Sequence, residues 1–150
     1  MPKFSTPCPE PEYLLLLGRA AYTWAYTEWT LLYAIKWATG DDLAHLVGGP
    51  GGRIVGRFHQ VVQAAPGTGS ELAAARTGAT ELVRLNQRRN DILHARPATV
   101  GGQQRLHRWD PKNAKATHGS ISTAEIEHFV LQVEAARSLT SPYFEMLRPP

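Results

Sequence analysis

Cysteine is almost missing from this 150-residue sequence. Cys8 stands alone, so no disulfide can close within the chain, and a reducing setting such as the cytoplasm is expected. The amino end lacks the basic start and apolar run of a signal peptide. With Pro2, Pro7, Pro9 and Pro11, residues 1–11 read as an extended arm. An uninterrupted apolar span is lacking too. Tyr13 to Ala38 is long enough to cross a bilayer, but Arg19, Glu28, Lys36, Gly18 and several threonines break it, so no membrane is expected as a partner. There is no internal repeat. With 43% hydrophobic and 19% charged residues, a disordered chain is excluded, and the length suits one domain, expected over 12–148.

Charge is present but unevenly spread. Between Arg84 and Lys115 there are eight basic residues against two acidic ones, so this segment carries +6 of a total of +3 and the rest carries −3. A basic segment on a mildly acidic body suits an anionic partner, nucleic acid first. A solvated basic loop would look the same.

The apolar periodicity predicts an all-α protein, a four- to five-helix bundle with a short β-hairpin-like loop between the last two long helices. Tyr13–Ala38 forms the first helix, with Gly40 as its C-cap. At about 100° per residue, Glu28 falls in line with Leu17, Ala21, Trp24, Leu32 and Ile35, the driest stripe, so it is expected to be buried and paired. A second stripe, Tyr22, Tyr26, Trp29 and Tyr33, reads as core or as a subunit contact. Asp41–Gly52 is glycine-rich, but no Gly-Lys-Ser/Thr follows, so it reads as a connector and not a phosphate cradle. A short helix covers Arg53–Ala65, with Ile54, Phe58, Val61, Val62 and Ala65 inward. Ser70 reads as the N-cap of the next helix.

That helix, Glu71 to about Ala95, carries the unusual stretch. Ala75, Ala79, Leu82, Val83, Leu85 and Leu93 mark its dry side, while Arg84, Gln87, Arg88 and Asp91 point away. Arg89, Asn86 and Asn90 fall within the dry arc, and His94 lies at its edge. Buried polar groups need partners, so a Glu28–Arg89 contact supported by the asparagines is expected, with Arg88 an ordinary solvated arginine.

Arg89-Asn90-Asp91-Ile92-Leu93-His94 resembles the Arg-x4–6-His motif of HEPN domains, in which a polar residue often follows the arginine as Asn90 does here. The resemblance implies a small helical bundle and a metal-independent endoribonuclease with Arg89, Asn90 and His94 as catalytic residues. It further implies a homodimer in which two motifs meet, and a place in toxin–antitoxin or defence systems with a cognate antitoxin as partner. Glu28 and Asn86 would support the site. Other HEPN-like bundles bind nucleotides, RNA or partner proteins without catalysis, so a non-catalytic dimeric module is the rival reading.

Pro97 limits continuation of the helix. Gly101-Gly102 suggests a hairpin turn, with Arg105–Trp109 as its second strand. Arg96, Arg105, His107, Arg108 and Trp109 are the candidate RNA-binding residues, arginines for phosphates and Trp109 for a base, although Trp109 and Leu106 would equally pin the hairpin to the body. His94, His107 and His118 lack zinc-site spacing, so neither a metal nor any other cofactor is expected. Ser122-Thr123-Ala124-Glu125 fits a capping box. The last helix follows, with Ile126, Phe129, Val130, Val133, Ala136 and Leu139 inward; Pro142 is expected to kink or end it, with a brief helical continuation from Tyr143 before Pro149.

Overall fold

Proline supplies the first start signal. In the computed structural model, which describes residues 7–48, 52–109 and 117–150, helix α1 spans Pro11–Thr39 with Pro11 in its first turn, where the missing N–H costs no hydrogen bond. The helix therefore begins inside the expected arm, of which residues 1–6 lie outside the description. Gly40, at φ 74°, ends α1, and its N–H donates to the Lys36 carbonyl at 2.8 Å. The stretch read as connector holds a short helix, α2 (Leu43–Val47), whose N-cap Asp42 accepts from the Ala44 N–H. Gly49–Gly51 lie outside the described residues.

Helices α3 (Arg53–Ala64), α4 (Ser70–Leu93) and α5 (Thr123–Leu147) complete a bundle. α1 packs on α3 and α5, and α4 packs on the same two, so α1 and α4 face each other across the ring. The interior holds Trp24, Leu31, Leu32 and Ile35 of α1, Val55, Phe58 and Val62 of α3, Leu82, Leu85 and Ile92 of α4, and Ile126, Phe129, Val130 and Val133 of α5. Burying each such side chain stabilises the fold by about 1.5–3 kcal/mol. Val83, Leu93 and Leu139, expected inside, are exposed. Ser70 is the first helical residue of α4 and not its cap, which is Gly69.

Two contacts set how α3 and α4 align. Arg76 of α4 donates to the Val62 carbonyl at 3.0 Å and the Ala65 carbonyl at 2.7 Å, satisfying the orphan carbonyls at the end of α3. At the other end, Gly52, just before α3, lies against Asn86. The two helices are antiparallel, and the last two turns of α4 run on past the start of α3. α4 and α5 approach closest at Gly78, where an added Cβ would come within 2.6 Å of the Ala136 carbonyl oxygen.

β1 (Arg96–Val100), β2 (Gln103–Trp109) and β3 (Thr117–Ser120) form an antiparallel sheet in that order. The β1–β2 turn is the expected one, with Gly101 and Gly102 at φ 57° and 79°, the positive values that a two-residue hairpin turn requires. β3 was not expected: four residues carry too little alternation to announce a strand, and it pairs irregularly between His107 and Trp109. Buried Tyr13 ties the sheet to the bundle. Its hydroxyl donates to the Ile121 carbonyl at 2.9 Å and accepts from the Leu106 N–H at 3.1 Å. The Ser122–Glu125 capping box forms as expected. Pro142 does not end α5, because buried Tyr143 and half-buried Phe144, the latter 4.8 Å from the Trp37 ring, hold the last turns on the bundle. Among the described residues no helix is long and apolar enough to cross a membrane.

Candidate functional site

Helical phase places Arg89 toward the bundle interior, at the level where α3 no longer covers it. Its guanidinium lies 5.9 Å from the centroid of the Trp24 ring, within reach of a cation–π attraction, and Trp24 itself stacks on Phe129. Nη1 of Arg89 donates to Asn90 Oδ1 at 2.8 Å. Nε of Arg89 is buried and makes no hydrogen bond among the described residues.

Glu28 follows Trp24 by one helical turn and is half-buried. It forms no ion pair with Arg89, contrary to expectation. The reason is topological: α1 and α4 lie across the ring from each other, and the Trp24 indole fills the space that a direct contact would need. Burial raises the Glu28 pKa above the usual carboxylate value, opposed by the Trp24 indole N–H and by the Arg89 charge. The indole attracts the carboxylate without completing a hydrogen bond, since Trp24 Nε1 and Glu28 Oε1 are both unpaired. Asn86 Oδ1 is likewise buried and unpaired. Its side chain fits because residue 52 is glycine: an added Cβ there would lie 2.5 Å from Asn86 Nδ2. Each unsatisfied buried polar atom costs about 1–3 kcal/mol, and Trp24, Glu28 and Arg89 each carry one.

His94 is the C-cap of α4. Its backbone N–H donates to the Asn90 carbonyl at 3.0 Å, and its side chain is exposed. Five residues past Arg89, it sits about 7.5 Å further along the helix axis. The cluster thus has a half-buried cation against an indole and an exposed imidazole at the end of the same helix.

The candidate RNA-binding residues separate into two kinds. Arg105 lies 4.5 Å over the Tyr13 ring and pairs with Glu10. Arg108 pairs with Glu125 at 2.5 Å. Both are engaged in holding the sheet and are not free phosphate clamps. The Glu125 carboxyl is held below its usual pKa range by the Ser122 backbone N–H and by Arg108. Arg88, expected to be solvated, reaches the same carboxylate at 3.9 Å, and its Nε is buried and unpaired. The sheet and the start of α5, both remote in sequence, cover that side of α4. His107 is half-buried between Arg96 and Ser120 on the neighbouring strands, with Nε2 unpaired. Arg96 is exposed on β1. The side chains of Trp109 and His118 lie outside the described part of the molecule. Trp24 is the site residue that sequence reasoning left in the core. Its one-turn spacing from Glu28 was the available signal.

No family model, no curated protein and no solved structure matches the chain.

Proposed function

We propose that the protein is a HEPN-like, metal-independent endoribonuclease that cleaves RNA to a 2′,3′-cyclic phosphate and a 5′-hydroxyl. The observation that carries this reading is the Arg89 guanidinium, held by Trp24 and Asn90 and in no ion pair among the described residues. A planar fork of donors in a half-covered cleft suits a phosphodiester.

RNA carries its own nucleophile. The 2′-oxygen attacks the adjacent phosphorus, the new O2′–P bond forms, and the P–O5′ bond breaks. One proton must leave the 2′-hydroxyl and one must reach the 5′-oxygen. His94, an imidazole exposed at the end of α4, performs one of these transfers. Arg89 stabilises the negative charge that builds on the phosphorane, and Asn90 fixes the guanidinium plane. A homodimer that joins two such clefts supplies a second His94 for the other proton. A toxin or defence role with a cognate antitoxin, in a cytoplasmic setting, fits this reading.

A second reading rests on a specific observation: the His94 side chain makes no hydrogen bond to Arg89 or Asn90, its backbone N–H alone reaching the Asn90 carbonyl. A non-catalytic HEPN-like dimer that binds nucleotide, RNA or a partner protein needs only the Arg89 cleft. Incubation with single-stranded RNA in EDTA separates the two. The nuclease yields cyclic-phosphate ends, and His94→Ala loses at least about 100-fold in rate, the usual scale of a lost general acid or base. Binding of RNA without any cleavage by folded wild-type protein selects the second reading.

A further inference from the structure

The side of α1 turned away from Glu28 carries an unpartnered seam. Leu15, Tyr22, Tyr26, Trp29 and Tyr33, with Arg19 between the first two, recur at alternating steps of four and three. That is the spacing with which one helix packs along another in a coiled coil. The structure leaves the seam open: Leu15 and Tyr22 are 73% exposed, Trp29 55% and Tyr26 49%. Together these four present on the order of 500 Å² of mainly apolar surface, the upper end of what a soluble monomer leaves uncovered.

The same steps continue to a charge at each end, Glu12 before the seam and Lys36 after it. Both are exposed, and neither forms an ion pair among the described residues. We propose that this face binds the same face of a second copy of the chain, α1 against α1 and antiparallel. A two-fold axis midway between Tyr22 and Tyr26 sets Tyr22 against Tyr26 of the partner subunit and Leu15 against Tyr33 of the partner subunit. Arg19, which pairs with Glu134 of its own subunit at 3.3 Å, lies level with the ring of the partner's Trp29, within reach of a cation–π contact. Glu12 meets Lys36 of the partner subunit at both ends. A parallel pairing would instead set Glu12 against Glu12 and Lys36 against Lys36, so the end charges select the antiparallel form. Arg137 of α5, 5.3 Å over the Tyr26 ring, borders the seam and widens the contact toward the roughly 800 Å² per partner of a stable interface. The seam lies about 140° around α1 from Glu28. The pairing therefore leaves each Arg89 cleft open and is independent of what that cleft does.

Sedimentation equilibrium of the full chain tests this. At about 100 μM wild type is expected at twice the mass of Tyr22→Glu, whether or not the Arg89 sites also join two subunits, and the variant keeps an unchanged helical circular dichroism spectrum, Tyr22 being exposed. Glu12→Lys and Lys36→Glu are each expected to weaken dimerisation by about twofold to fivefold, the scale of an exposed ion pair, and the double variant to regain wild-type affinity. A wild type that stays monomeric overturns the proposal, and if it then binds lipid vesicles or an RNA oligonucleotide through Tyr22, that ligand is the occupant. A Tyr22→Glu dimer as tight as wild type overturns it as well, and a double variant no tighter than the singles overturns the antiparallel register.

Discussion

Arg89 and the pair Arg105–Arg108 lie in one basic segment, yet they differ in what neutralises them. Arg105 and Arg108 each meet a carboxylate, Glu10 and Glu125, and tie the sheet to the bundle. Arg89 meets an indole and an amide. Glu28, whose carboxyl feels the Arg89 charge, is half-buried, and burial raises its pKa above the usual carboxylate value; it forms no ion pair with Arg89. A cation spent on a carboxylate builds architecture, whereas one held by neutral groups keeps its field for an anion that arrives from outside.

The contrast can be broken most sharply by activity. Arg89→Ala is expected to lower RNA cleavage by at least about 100-fold, near 3 kcal/mol of transition-state stabilisation, while Arg105→Ala stays within a few-fold of wild type. Equal losses in a cleavage assay would erase the distinction. On the architectural side, Tyr13→Phe removes the hydroxyl that joins Ile121 to Leu106 and should cost about 1–3 kcal/mol by urea unfolding, with little change in cleavage by the folded fraction. Ser122→Ala removes the cap of α5 and should cost about 1 kcal/mol in the same measurement.

The smallest effect is a pH dependence. The raised pKa of Glu28 means that its contribution to stability is fully present below the ordinary carboxylate value of 4.5 and is lost as pH rises through the raised value. Glu28→Gln, neutral at every pH, escapes that loss. Its melting temperature relative to wild type should therefore climb between about pH 4 and about pH 7. A constant difference would show that Glu28 is ordinarily solvated. The opposite slope would show that it is an ion-pair partner of Arg89 after all.

The helices and the hairpin were legible because their signals are local. Gly40 and Gly101-Gly102 sit where only positive φ continues the chain, and the Ser122–Glu125 box closes within four residues. Pro142 left two outcomes open, since the local rule says kink or stop, and Tyr143 and Phe144 select continuation by packing on the bundle. At the site, the phase of α4 correctly turned Arg89 toward the interior. It could not say that Glu28 would miss Arg89, because phase fixes the direction of a side chain and not which helix stands opposite. Arg88 failed likewise, since Glu125 comes from 37 positions further along the chain.

The alternating steps along α1 show the limit of periodicity most plainly. The sequence by itself determined that Leu15, Tyr22, Tyr26, Trp29 and Tyr33 lie on one line, because 3.6 residues per turn allow no other arrangement. Only the tertiary structure decided that Glu28's side of the helix, and not this one, would be turned to the bundle. A helix with two apolar stripes can bury either, and the choice falls to the side that the neighbouring helices cover. The same packing set α1 and α4 across the ring from each other and put Trp24 between Glu28 and Arg89. The sequence therefore determined which residues could do chemistry, and packing determined which of them are left with something to bind.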